Sequence, residues 1–229
     1  MIFLFFFGLT IGSFLNVLID RLAKKESILG RSYCDHCRKT LHWHQLVPVL
    51  SFIVYRARCR YCQAKISIQY PLLELITGIL FVLFGWGWNL IFVAILLVIF
   101  VYDAKYMLVP DIIAIPGMIL ALIISPENWE AAALSGGFFA FLVLISREKW
   151  MGWGDAEIAI IMGFLLGFPE IIFALNLAFV LGSIYGIILI AKKRRSLKSL
   201  IAFGPFLVSA TIICLKFPIL EKVLAWWNY

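Results

Sequence analysis

The sequence is poor in charge. Of its 229 residues, 14% are Asp, Glu, Lys or Arg and 63% are hydrophobic, with a mean hydropathy of +1.00. Soluble domains carry about 25% charged and about 45–50% apolar residues, so this chain cannot hide its apolar surface in one water-exposed core. The apolar excess excludes disorder as well. An integral membrane protein remains. Acidic residues are the scarcer sign, 13 against 20 Lys and Arg, which leaves a net charge of +7. Basic residues are missing where a secretory signal would need them. None precedes the apolar run Met1–Ile19, whereas Arg21, Lys24 and Lys25 follow it. A cleaved signal has the opposite order and a small-residue cleavage site. The run is long enough to span a bilayer, and it is expected to be a retained first helix with its N-terminus outside.

The stretch from Arg21 to Gln69 differs in kind. It holds ten basic residues, two acidic ones (Glu26 and Asp35) and four of the five cysteines. After it, apolar runs broken by Gly, Pro and short charged tracts predict helices at about 70–85, 89–104, 111–125, 131–147, 156–168, 170–191 and 200–216. With the first helix this gives an all-α polytopic membrane protein of about eight transmembrane helices. The aromatic-rich residues 217–229 suit the membrane interface. With the N-terminus outside, the inner segments are 20–69, 105–110, 147–155 and 192–199. They hold 18 of the 20 Lys and Arg, all but Lys216 and Lys222. That asymmetry follows the positive-inside rule. It accounts for the net charge without a nucleic-acid partner, and the tract beginning at Lys192 reads as a juxtamembrane stop.

Cys34-Asp35-His36-Cys37 and Cys59-Arg60-Tyr61-Cys62 are separated by 21 residues. Each Cys-x-x-Cys turn can aim two sulfurs at one ion, and two such turns complete the Cys₄ set that structural zinc favours. Arg38, Lys39, Arg56, Arg58 and Arg60 nearby favour thiolate over thiol. A redox dithiol is the alternative, at odds with the reducing cytoplasmic setting expected for the loop. Zinc would supply stability that a loop of about 50 residues with few aliphatics lacks. His36, His42 and His44 are expected to be ordinary loop residues, since four sulfurs fill the shell. Cys214, in the last apolar run, reads as a small buried hydrophobe.

Acidic groups within membrane segments are costly and mark candidate functional sites. Asp103 ends an uncharged run at the C-terminal end of its helix, where a carboxylate opposes the dipole. No structural role explains it. Asp111 follows Pro110 and suits a helix cap. Asp155 lies in Gly152-Trp153-Gly154-Asp155, whose glycines permit close approach and unusual dihedrals. The topology puts Asp103 and Asp155 on the same cytoplasmic face. Two carboxylates at one depth can share a proton and activate water for peptide hydrolysis. Glu157 and Glu170 sit nearer segment ends, where solvation is cheaper. Glu74 is an acidic group inside the second span.

Asp103 followed by Pro110-Asp111, with Gly152-Trp153-Gly154-Asp155 further on, resembles the type IV prepilin peptidases, intramembrane aspartic proteases of the Gly-x-Gly-Asp type. Gly12-Ser13-Phe14-Leu15-Asn16-Val17, the Cys₄ loop with Pro48 inside it, Tyr70-Pro71-Leu72-Leu73-Glu74 and Phe203-Gly204-Pro205-Phe206 extend the match over nearly the whole chain. The resemblance implies that Asp103 and Asp155 form the protease pair, cutting the basic leader from prepilins or pseudopilins at the cytoplasmic face of a bacterial inner membrane. Relatives with the Cys₄ region also methylate the new N-terminal amine from S-adenosylmethionine, so it implies a bifunctional enzyme. Residues 1–88, with the zinc loop at about 21–69, would form the methyltransferase part, and 89–229 the peptidase. Glu74 is the leading methyltransferase candidate, ahead of Gly12, Ser13 and Asn16; Gly12 and Ser13 serve equally well as helix-packing residues. Glu157 stands where relatives often have Lys, and Val109 where they usually have Leu. The oligomeric state is left open.

Other functions compete. An ion-coupled transporter could use the carboxylates as a proton relay, but it predicts paired repeat halves, and the sequence has no internal repeat. A scaffold with a structural zinc loop leaves Asp103 without a role.

Overall fold

The computed structural model describes residues 1–192 and 201–218. Most of the basic tract after Lys192 and residues 219–229 of the aromatic tail lie outside the described residues. Nine α-helices occur among the described residues: α1 (Ile2–Lys24), α2 (Leu50–Val54), α3 (Gln69–Phe84), α4 (Asn89–Tyr106), α5 (Asp111–Ile124), α6 (Trp129–Ser146), α7 (Trp153–Leu166), α8 (Glu170–Ala191) and α9 (Gly204–Lys216). No strand occurs there; pairing is limited to two isolated bridges. Four segments are long and apolar enough to cross a membrane: Ile2–Lys24, Asn89–Tyr106, Pro126–Ser146 and Glu170–Ala191. Helices α3, α5 and α9 are apolar but shorter, and α7 has 14 residues.

The chain divides into two units, Met1–Val98 and Ile99–Tyr229. In the first, α1 packs along α3, and small residues set the approach. A Cβ on Gly8 would lie 2.8 Å from the Gly78 Cα, and one on Gly12 2.7 Å from the Glu74 Cα. Such contact lets two backbones meet where lipid gives no hydrophobic drive. Helix α1 runs past Ile19 to Lys24 because its polar end is satisfied. The Tyr70 hydroxyl donates to Asp20. Buried Arg21 donates to the carbonyls of Ser27 and Ile28, and to those of Gly30 at 3.3 Å and Arg31 at 3.0 Å. Lys25 then ends the helix in the left-handed region, at φ 54°.

In the second unit α7 is the central element, packed against α5, α6, α8 and α9. Ile158, Ala159, Ile161 and Met162 are wholly buried, as expected of a helix that is apolar all round. Gly163 admits α6: a Cβ there would lie 2.4 Å from the Ala132 Cα. The Ser135 hydroxyl crosses between the helices to the Ala159 carbonyl at 2.7 Å. Helix α7 starts at Trp153, before Asp155, because Asp155 closes its first turn as described below.

Candidate active site

The cysteine loop is built from two matching turns. Tyr33 bridges Thr40, and Arg58 bridges Lys65. Within each bridge the first cysteine N–H is paired across the turn, Cys34 to Lys39 O at 3.0 Å and Cys59 to Ala64 O at 2.9 Å. The residue after each second cysteine, Arg38 or Gln63, has φ 58°, so the backbone repeats where the sequence shows no repeat. The ligand atoms of Cys34, Cys37, Cys59 and Cys62 all lie within 4.8 Å of one another. Burial pushes the Cys59 thiol up, but the Cys62 and Tyr61 N–H groups and neighbouring sulfurs outweigh it and bring it to about 7. At Cys62 the Ala64 N–H favours the thiolate, yet burial and the other sulfurs push it up to about 11. Four sulfurs this close cannot all ionise without a counter-charge, and a cation in their midst would supply it. The donor set fits a metal ion. No histidine belongs to this ligand group among the described residues; His42 and His44 stack on each other at 5.6 Å, and Arg60 meets His44 at 3.3 Å.

The loop returns to the helices at Val49. Its N–H donates to Glu74 Oε2 at 2.7 Å, and Ser13 also hydrogen-bonds the Glu74 carboxylate. Val49 has φ 61° and ψ −49°, and the Leu50 N–H reaches back to the Pro48 carbonyl at 2.5 Å. This is a γ-turn of the rare positive-φ kind, centred on a β-branched residue that strongly disfavours it. Strain of this type persists only where surrounding contacts hold it; the bond to Glu74 is one such contact. Asn16, also buried, donates to the Tyr70 carbonyl at 3.1 Å. Glu74, Ser13 and Gly12 therefore meet in one place, with Asn16 about one turn away along α1. The contact from Val49 has no signal in the sequence, because the two residues are 25 positions apart.

In the second unit Asp103 is 6% exposed and its Oδ2 has no hydrogen-bond partner. The Gly204 N–H, at the start of α9, is directed to this carboxylate. A Cβ on Gly204 would lie 2.5 Å from Asp103 Oδ2 and 2.9 Å from Ile158 Cδ1. Asp155 lies in the first turn of α7, accepts the Gly152 N–H at 3.2 Å, and is within electrostatic reach of Asp103. The structure thus brings the two sequence candidates into one neighbourhood. Of the two roles expected of the flanking glycines, close approach is found at Gly154, and unusual dihedrals are found at neither. Gly152 is extended, at φ −94°. Gly154 is needed for space, since a Cβ there would lie 2.4 Å from Val109 Cγ2. It lets the α4–α5 connection close against the head of α7.

Other acidic residues are placed less as expected. Asp111 is not the cap of α5: Pro110 holds that position and Asp111 is the first helical residue, where its charge still suits the dipole. Glu157 is within electrostatic reach of Asp111, and its Oε2 is buried without a hydrogen-bond partner. Glu170 is 3% exposed, so its place at a helix end does not give it solvent. A cavity of ≈ 300 Å³ is lined by Met118, Gly136, Gly137, Trp153, Glu157 and Ile160 among others; neither Asp103 nor Asp155 lines it. Cys214 is buried, as its apolar surroundings predict. The Gly204 contact is a further feature that the sequence alone does not reveal, beyond the motif Phe203-Gly204-Pro205.

Asp103, buried, and Asp155, half-buried, thus stand together on apolar helices, the arrangement that an aspartyl site within a membrane would need. Two family models match: the bacterial peptidase A24 N-terminal domain over residues 6–88 and the type IV leader peptidase family over residues 90–187. The chain belongs to the type IV leader peptidase family. It is 33% identical over 216 residues to the prepilin leader peptidase/N-methyltransferase of Myxococcus xanthus, covering 85% of this chain and 64% of that protein. With the protein of the same name from Bacillus subtilis it shares 32% over 226 residues, 92% of this chain and 91% of the relative. With that from Neisseria gonorrhoeae it shares 30% over 266 residues, 96% and 92%. No solved structure matches the chain significantly.

Proposed function

We propose that this protein removes the leader peptide from type IV prepilins or pseudopilins and then methylates the new N-terminal amine. The observation that carries the proteolytic half is the juxtaposition of Asp103, buried with an unpartnered oxygen, and Asp155 at the head of α7. One carboxylate, ionised, takes a proton from water as its oxygen bonds to the scissile carbonyl carbon. The other, protonated, donates to the carbonyl oxygen. On collapse the C–N bond breaks, one hydroxyl of the gem-diol gives its proton to the second carboxylate, and the departing amine takes the proton held by the first, which leaves the pair with one shared proton again. Gly204 leaves room for the Asp103 side chain, and Gly154 lets the α4–α5 connection close against the head of α7.

Residues 1–88 form the methyltransferase part in this reading, and 89–229 the peptidase. S-adenosylmethionine, when bound, supplies the methyl group. Glu74, held by Val49 and Ser13, orients the substrate amine or faces the cationic donor, with Gly12 and Asn16 beside it. Cys34, Cys37, Cys59 and Cys62 would hold one structural zinc that ties the two turns of the loop. Counting α1 and α3–α9 gives eight spans in the bacterial inner membrane, with the N-terminus outside and both the zinc loop and the aspartates at the cytoplasmic side. The transporter and scaffold readings gain no support from the relatives. The test is to incubate purified protein with a prepilin and S-adenosylmethionine and weigh the product. A mature chain one methyl group heavier than the bare cleavage product is expected; an intact prepilin would reject the reading.

A further inference from the structure

Between the two cysteine turns lies a feature that neither metal binding nor catalysis uses. Helix α2 presents Leu50, Ile53 and Val54 outward, 59%, 64% and 70% exposed. Their i, i+3, i+4 spacing puts them on one helix face. The residues that follow include Arg56, Arg58 and Arg60, all exposed. An apolar stripe flanked by arginines is the pattern of a segment lying in a membrane interface.

The depth of α2 identifies what covers it. The residue just before it, Val49, donates to Glu74 at 2.7 Å. Glu74 is five residues into α3, about 7.5 Å along the axis at 1.5 Å per residue, and helical side chains lean back toward the N-terminus. The start of α2 is therefore held beside the first turns of a membrane helix, at the level of headgroups and upper acyl chains. Ile68 and Leu72, at the start of α3, are 73% and 52% exposed and extend the apolar surface at that level. The loop carries ten basic residues against two acidic ones, which complements an anionic leaflet.

We infer that α2 is an interfacial anchor, with Leu50, Ile53 and Val54 inserted among acyl chains and Arg56, Arg58 and Arg60 on the headgroups of anionic phospholipid. The inference rests on the reading of α1 and α3 as membrane helices. Docked lipid would hold the strained turn at Val49 against Glu74.

The test uses the full chain in lipid nanodiscs containing phosphatidylglycerol. A photoreactive benzoylphenylalanine replaces, one at a time, Ile53, exposed Ile79 on α3 and exposed Lys39 at the cysteine turn, and lipid adducts are counted by intact mass. Ile79 is expected to label lipid, Ile53 to label it comparably, and Lys39 to label little. In discs of phosphatidylcholine alone the Ile53 yield should fall by about fivefold or more, the factor for one basic residue at an anionic surface. Labelling at Ile79 with Ile53 no higher than Lys39 overturns the anchor while leaving the membrane reading intact. Failure at Ile79 rejects the membrane reading and the anchor with it. Adducts from Ile53 to a second protein chain, or a yield unchanged without anionic lipid, reject the assignment to anionic lipid.

Discussion

Adding a single methyl group at Gly204 tests the geometry around Asp103 without touching a titratable group. The new Cβ would lie 2.5 Å from Asp103 Oδ2, whereas ordinary contact begins at 3.4 Å. The carboxylate must withdraw by 3.4 − 2.5, about 0.9 Å, or α9 must move by as much. The other near atom, Ile158 Cδ1 at 2.9 Å, is a flexible chain end that yields more easily. A misplacement of about 1 Å at a reacting group costs about 100-fold in rate, and overpacking costs about 1–3 kcal/mol of stability. Gly204→Ala should therefore lower kcat/KM for leader cleavage by about 100-fold, with the protein still folded and only modestly less heat-stable. Gly137→Ala is the matched control, since a Cβ there meets nothing within 4 Å. It should keep full cleavage and gain a few tenths to about 1 kcal/mol from helix propensity. Both variants are assayed in nanodiscs on one prepilin, with melting followed in parallel. Wild-type cleavage by Gly204→Ala, with unchanged melting, would refute the claim that this contact positions Asp103.

Three further outcomes are expected. Glu74→Gln keeps an acceptor for the Val49 N–H but loses the charge, so leader removal should persist while the product emerges unmethylated; a fully methylated product would show that the charge is dispensable. Cys34→Ser and Cys59→Ser should each lower bound zinc below one equivalent per chain in elemental analysis, and unchanged stoichiometric metal in both would overturn the ligand assignment. Gly163→Ala puts a Cβ 2.4 Å from the Ala132 Cα, a backbone atom that cannot swing aside, so the melting temperature should fall by an amount matching about 1–3 kcal/mol, with an unchanged value contradicting the close α6–α7 contact.

Much of this architecture was legible because a few residue types punctuate an otherwise apolar chain. Helix α8 is found at the expected 170–191, and α3, α4 and α5 lie within two residues of their expected limits. Gly85, Pro110 and Pro169 mark those boundaries, and Pro and Gly act locally whatever the tertiary context. The gathering of four sulfurs was legible for the same reason, since Cys-x-x-Cys spacing is itself a local geometry. The misplaced ends have long-range causes. Helix α1 outruns Ile19 because Tyr70, 50 residues on, satisfies Asp20. Helix α9 begins at Gly204 rather than near 200. Helix α2 escaped notice because five residues give too little periodicity to read. The γ-turn at Val49 and the burial of Glu170 depend on packing partners that no local pattern encodes. Glycine was informative at Gly154, where the expected close approach is made to Val109 and the expected special dihedral is not found.

The central claim is that Asp103 and Asp155 together perform leader cleavage, and conservative neutralisation tests it most directly. Asp103→Asn and Asp155→Asn retain shape but cannot ionise or relay a proton. Each is purified in nanodiscs, shown to melt like wild type, and incubated with prepilin while the mature product is quantified by mass. The account predicts loss of cleavage in both, by at least the 10²–10⁴-fold (about two to four orders of magnitude) that a positioned acid or base contributes. Full cleavage by either folded variant would contradict it.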